Sequence, residues 1–288
     1  MEKKNGGRFL MEIRYLGTGA AEGIPAVFCQ CETCRRASKQ KGKDIRTRSS
    51  ALINGKLLMD ISPDLYFHKL RYDLDLWKVK AVCVTHSHSD HFDGEELTRR
   101  SSANYCCIRD EKPLAVYGNS KVRRMGRESF KEEFGKEEDP SVVFLPAQPF
   151  TEIRVEELTV IPIPANHDPR EMCFIYLIEE GETRILYAND TGLLGPEAYD
   201  FLKGTRLSLV SLDCTFGDSK YHGGFHMGIE ENLAVVKSLE EAGCLAPSTV
   251  IAATHFSHNC NMSHQELEQR LGEAGIRAAW DGMELKWE

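Results

Sequence analysis

Residues 85–91 read Thr-His-Ser-His-Ser-Asp-His and follow directly on the apolar run AVCV at 81–84. A short continuous apolar run reads as a buried strand, AVCVT over 81–85, so the three histidines and the carboxylate gather at its carboxyl end. Alternation along extended backbone points His86 and His88 the same way, and Asp90 and His91 arrive from the turn beyond. Imidazole nitrogen with carboxylate oxygen is a borderline donor set that suits zinc, manganese or iron, and one such segment can feed two ions. The plain alternative is a histidine-rich surface loop.

The rest of the chain alternates strand and helix patterns, which gives an α/β class. MEIRYLGTGAAEG, from Met11, reads as a strand entering a glycine-rich turn. Residues 28–45 read as a cysteine cluster followed by a polar loop. SSALING and KLLMD form a hairpin around Asn54-Gly55, a pair that suits a type I′ turn. Strands are predicted at 114–118, 158–164, 173–179, 184–188, 207–213 and 249–254, and an exposed helix within 119–140. Ile229, Leu233, Val236 and Leu239 recur at helical spacing over 229–242. Ser263 with Glu266 is a capping-box signature for a last helix carrying Leu267 and Leu271, before short β-like stretches. Residues 1–10 read as a flexible leader, with Met11 a second candidate start, and 11–288 as one domain.

No apolar run approaches the roughly 20 residues needed to span a bilayer, and MEKKNGGRFL has no apolar stretch behind its basic residues. The expectation is a cytoplasmic protein without a membrane partner. A net charge of −8 argues against nucleic acid, whose binding draws on counterion release by basic side chains. Ten cysteines in 288 residues are not read as a disulfide framework, because a chain this long builds its own core. Cys29, Cys31 and Cys34 crowd together with C-x-C-x-x-C spacing, and the other seven read as small buried fillers. A closed zinc site takes four ligands. Three thiolates leave one place, which His258 or Cys260 could fill. A reduced metal-free cluster or a disulfide among the three are the alternatives.

The H-x-H-x-D-H pattern after an apolar strand resembles the metallo-β-lactamase superfamily, and the resemblance runs over nearly the whole chain from Met11. It implies an αββα sandwich of two mixed β-sheets flanked by helices. It also implies two divalent transition metals, manganese or zinc. One would take His86, His88 and His167 (in PIPANHDP), and the other Asp90, His91 and His255 (in IAATHFSH). Asp190 (in ILYANDTG) would bridge them. LGTGAAEGIP, CQCETC and THFSH stand in the order found in PhnP-type phosphodiesterases of the carbon–phosphorus lyase pathway. That likeness implies one structural zinc on Cys29, Cys31, Cys34 and His258.

Paired metals share a water and lower its pKa. The ester oxygen that leaves then needs a proton, for which SLDCTFGDSKYHGGFHMG offers His222 and His226. The resemblance favours His226, with Asp213 orienting it. The helix amides after Gly228 are candidates for phosphate oxygens. Asp60 and Asp64 sit where the family carries an acidic residue behind the ligands. Arg46, Arg48, Ser49 and Ser50 read as a solvated strand start, with contact to an anionic substrate as the alternative. His68 and His264 read as surface helix residues. Gly17 and Gly19 form a tight turn and no dinucleotide fingerprint, because Gly23 comes one residue late.

The expected function is a binuclear metal-dependent phosphodiesterase using a metal-bridging hydroxide on a small phosphodiester, with a cyclic ribose phosphate the candidate that the PhnP resemblance implies. An endoribonuclease like the tRNA 3′-processing enzymes is an alternative, echoed by Asp213 and His226 but lacking a glycine-rich basic arm. A lactone or thioester hydrolase is another, since the same hydroxide attacks carbonyls. A non-catalytic metal-binding or redox module would need missing ligands, and none is missing. The resemblance also implies a homodimer.

Overall fold

Valine, isoleucine, leucine and aromatic residues dominate the strands, and strands buried on both faces need cover on both sides. In the computed structural model, residues 11–101, 105–108, 112–219 and 224–288 are described. The leader expected at 1–10, and His222, lie outside them. Two mixed seven-stranded sheets meet face to face. The first runs Glu284–Trp287, Met11–Gly17, Ser50–Ile53, Leu57–Met59, Ala81–Cys83, Leu114–Gly118, Val142–Pro146. The second runs Ile276–Ala278, Val250–Thr254, Leu209–Asp213, Thr183–Ala188, Phe174–Glu180, Leu158–Pro164, Ile153–Val155.

Tyr15, Ile53, Met59 and Cys83 of the first sheet pack on Val160, Phe174, Tyr176 and Tyr187 of the second. Val122 and Phe130 of helix Ser120–Phe134 cover the outer face of the first sheet. Helices Pro196–Leu202 and Ile229–Glu241 cover that of the second. This is the αββα sandwich. The hydroxyl of Tyr176 donates to the carbonyl of Val84 at 2.7 Å, tying the second sheet to the backbone just before the histidine turn. In each sheet the parallel strands deliver the segments that follow them to one edge. Asn54 and Gly55 both have positive φ (51° and 64°), as the predicted type I′ hairpin requires.

Several local expectations fail for identifiable reasons. The polar stretch after the cysteines is a helix, Glu32–Gln40, whose first turn is capped by the Cys31 thiol accepting from the Cys34 amide. Thr33, Cys34 and Ala37 form its buried face. In helix Ile229–Glu241 the inward residues are Ile229, Asn232, Val235 and Leu239, and Leu233 is exposed. The phase turns because Asn232 is buried, donating its amide to the carbonyls of Asp213 and Gly228. Cys106 and Cys107 are not core fillers; Cys107 is exposed.

His68 and His264 are buried, not surface residues. His68 Nε2 lies 2.8 Å from Thr47 Oγ1, and Arg46 donates to His264 Nδ1 at 3.0 Å. Arg46 itself is only 3% exposed, not a solvated strand start, and donates also to Thr18 and to the Ala279 carbonyl. Arg48 pairs with Asp64, while Ser49 and Ser50 donate to backbone carbonyls. All four residues serve the fold.

Burial pushes His68 down to about 4 and His264 down to about 3. Below the ordinary value of 6.5 the unfolded chain therefore binds protons that the folded chain refuses. This stability is complete above pH 6.5 and is lost as the pH falls toward 4, by up to about 1.4 kcal/mol per pH unit for each group. Urea denaturation at pH 7 and pH 5 should show a shallower loss for His264→Gln than for wild type. Parallel losses would contradict a neutral buried imidazole.

Candidate metal centre

The turn after strand Ala81–Cys83 presents His86, His88, Asp90 and His91 together. The His86 and His88 ring centres are 4.3 Å apart. His167 follows strand Leu158–Pro164, Asp190 follows Thr183–Ala188 and His255 follows Val250–Thr254. Their donor atoms form two overlapping groups: His86, His88, His167 with Asp190, and Asp90, His91, His255 with Asp190. All seven expected ligands thus come together, with Asp190 shared. His88 Nδ1 and His167 Nε2 are 3.2 Å apart, close to the nitrogen–nitrogen edge of about 3.3 Å in a tetrahedron with metal–nitrogen bonds near 2.0 Å.

The imidazole Nε2 atoms of His86, His91 and His255 are buried without a hydrogen-bond partner among the described residues. Orphaned buried polar atoms are expensive. Three of them converging with two carboxylates fit a divalent cation pair. The remaining ring nitrogens are held from behind. Asp60, fully buried, places Oδ2 2.8 Å from His91 Nδ1, and its Oδ1 accepts from the Thr85 amide. Asp168 reaches His88 Nε2 at 3.1 Å. The Phe225 carbonyl lies 3.1 Å from His167 Nδ1. Such contacts fix which nitrogen faces the ion and raise its basicity.

Asp213 does more than the sequence reading assigned. Its Oδ2 lies 3.3 Å from His226 Nδ1, as expected, and also 3.2 Å from His255 Nδ1. Amides of Thr215 and Met227 donate to its Oδ1. His226 Nδ1 is also 3.0 Å from Asp190 Oδ1. Burial lowers the pKa of His226, but the Asp190 and Asp213 carboxylates outweigh it and raise the group to about 10. His226 lines a cavity of about 270 Å³ together with His88, Asp190, Phe216 and His255. At the helix start expected to help bind phosphate, Gly228 N donates to Glu231 and Ile229 N to the Gly217 carbonyl, so these two amides are already engaged. Asp64 sits away from the cluster on Arg48.

Sequence reasoning missed Glu171 and Asp168, which brace the histidine turn. Glu171 accepts from Ser87 N and Oγ, Asn119 and Lys121. Their only signal was proximity to His167 in HDPREM. Asp60, Asp190 and His255 all have positive φ (59°, 52°, 59°). Non-glycine residues there cost roughly 1–3 kcal/mol each and cluster at functional sites.

The second cluster also assembles. The thiols of Cys29, Cys31 and Cys34 lie 3.3, 3.3 and 3.6 Å from His258 Nδ1. A zinc tetrahedron with bonds of about 2.3 Å to sulfur and 2.0 Å to nitrogen has sulfur–nitrogen edges of about 3.5 Å. All three cysteines are free, so no disulfide competes, and Cys260 is not part of the group. Burial raises the Cys31 thiol, but contacts with His258 and the Cys34 amide prevail and bring it down to about 6. That favours the thiolate a metal needs. The donor set fits a structural zinc. Glu22 joins the two clusters: its carboxylate accepts from Ser257 at 2.5 Å, lies 3.5 Å from His258 Nε2 and lines the cavity.

Residues 56–256 match the Beta-lactamase superfamily domain. This chain belongs to that superfamily. It is 29% identical over 279 residues to an octanoyltransferase of Porphyromonas gingivalis, an alignment covering 93% of this chain and 50% of that protein. The chain therefore spans about half the length of that relative. It is 25% identical to the coenzyme PQQ synthesis protein B of Methylococcus capsulatus, covering 96% of this chain and 99% of that one. A solved diphosphatase of the PhnP family superposes with a TM-score of 0.74 at 26% identity, over 96% of this chain and 98% of that structure. The superfamily member is a metal-dependent hydrolase, of a fold family that binds divalent metals such as zinc. Among the described residues, no helix is long and apolar enough to cross a membrane.

Two substitutions test this centre. Cys31→Ser should lower the metal content by one ion per chain and reduce thermal stability, while activity of the surviving folded protein changes little. An unchanged zinc count removes the structural assignment. Asp60→Asn should weaken catalytic-metal affinity about 10–100-fold, read by chelator competition.

Proposed function

We propose that this chain is a binuclear metal-dependent phosphodiesterase acting on small phosphodiesters, a cyclic ribose phosphate among them. The observation that carries the reading is His226: an imidazole held between the Asp190 and Asp213 carboxylates on the wall of the cavity that the ligand candidates line. The likeness to a PhnP-family diphosphatase supports it. When bound, the cation pair supplies Lewis-acid charge and a water activated near neutral pH. Asp90 and Asp190 line the cavity wall and, with the histidines, would hold those cations there. Asp190 and Asp213 hold the proton on His226, which lets its ring donate to the departing ester oxygen. Asp60, Asp168 and Asp213 keep the imidazoles of His91, His88 and His255 in one orientation, so binding the substrate requires little reorganisation.

A thioester or ester hydrolase is the second reading, favoured by the relative named an octanoyltransferase. Nuclease action is disfavoured by the net charge of −8. Metal-loaded protein should hydrolyse bis(p-nitrophenyl) phosphate and not a lactone or an octanoyl thioester. The reverse preference would sink the phosphodiesterase reading. His226→Ala should slow esters with poor leaving groups about 100-fold or more, and p-nitrophenyl esters much less. Equal slowing of both would remove its role as proton donor.

A further inference from the structure

Beside the metal-centre cavity lies a second, open and mostly apolar bowl of about 530 Å³. It shares His88, His167, Phe216 and His226 with the first cavity, so the two are continuous. Phe225, Asp168, Pro169 and Arg170 complete its wall. Phe225 is 43% exposed, although it sits between a glycine and a proposed catalytic residue, and its side chain contributes to no core cluster. The Phe216 ring stands edge-on to His226, with centres 5.8 Å apart. Arg170 is clamped on Asp168 through Nε and one Nη, at 2.8–3.1 Å, yet its side chain remains 76% exposed. Its charge is largely matched by Asp168, which leaves a fixed guanidinium plane as its main offering.

We propose that this bowl is a subsite for an aromatic heterocycle of the substrate, a nucleobase-like ring stacked among Phe216, Phe225 and the Arg170 guanidinium while its phosphate lies at the metal centre. Aromatic faces and guanidinium planes bind flat π-systems of any base sequence. An alkyl chain gains most from an enclosed apolar channel, and this bowl is open to solvent on one side. The inference deepens the phosphodiesterase reading by naming what is attached to the phosphate, and it rests on that reading only for the reaction.

The test is equilibrium binding by calorimetry on the metal-loaded full chain, with AMP and ribose 5-phosphate as probes. These share the ribose and the 5′-phosphate and differ at C1′, where AMP carries the base and ribose 5-phosphate a hydroxyl. Wild type should bind AMP at least about fivefold tighter. Phe225→Ala should erase most of that preference without changing ribose 5-phosphate affinity, and Phe225→Trp should keep it. Phe225 is half-exposed, so its removal leaves the core intact. Equal affinity of wild type for the two probes overturns the subsite, even if phosphodiesters are hydrolysed. So does a Phe225→Ala variant that weakens both probes alike. A base preference lost in Phe225→Ala but with no hydrolysis of any phosphodiester would support the subsite and sink the phosphodiesterase reading instead.

Discussion

One buried carboxylate organises this molecule. Asp190 lies 3.4 Å from His86, 3.0 Å from His91, 3.5 Å from His255, 3.2 Å from His167 and 3.0 Å from His226. Those five imidazoles come from four separate loops that follow or precede strands of both sheets. Burial pushes the Asp190 carboxyl up, but the surrounding imidazoles, His255 foremost, hold it well below the ordinary carboxylate range. A single negative charge at this point lets so many imidazole edges approach one another.

The arrangement is frustrated as it stands. His86 is driven toward its neutral form by burial and by its neighbours His91 and His167, while burial opposes the His91 cation but is outweighed by the Asp90 and Asp60 carboxylates, which raise that group above its ordinary range. The Nε2 atoms of His86, His91 and His255 lack a hydrogen-bond partner among the described residues, and Asp60, Asp190 and His255 sit at positive φ. These departures from local preference lie where the sheets on either side can hold them in place. Divalent cations held by these donors would answer the orphaned atoms at once, which is why the geometry reads as a binding site.

The turn at 255–258 links the two clusters. His255 faces the carboxylates and His258 faces the thiols, three residues apart. Phe256 between them stacks under the buried Arg46 guanidinium at 4.3 Å and pairs its backbone with Gly19 and Ala20. Thr18, Thr47 and Asp281 close the network around Arg46. Gly17 permits that closeness, since a Cβ there would stand 2.0 Å from the Arg48 carbonyl. The Arg46 network thus holds the strand end that presents His255 independently of the thiol loop.

The histidine turn and the cysteine cluster were legible from sequence because their spacing is local: H-x-H-x-D-H after an apolar strand and C-x-C-x-x-C each fit within a few positions. His167, Asp190 and His255 are lone residues at strand ends, and only the family resemblance singled them out. The sandwich came from family resemblance, since alternation of strand and helix patterns fits several α/β architectures equally. What only the tertiary structure decided is how distant groups pair. That Asp213 serves His255 as well as His226, that Asn232 turns a helix face inward, and that His68, His264 and Arg46 are buried all depend on partners far away in the chain. Periodicity reports which residues are apolar. It carries no information on which polar group will find a buried partner, because that is settled by the packing of two sheets against each other.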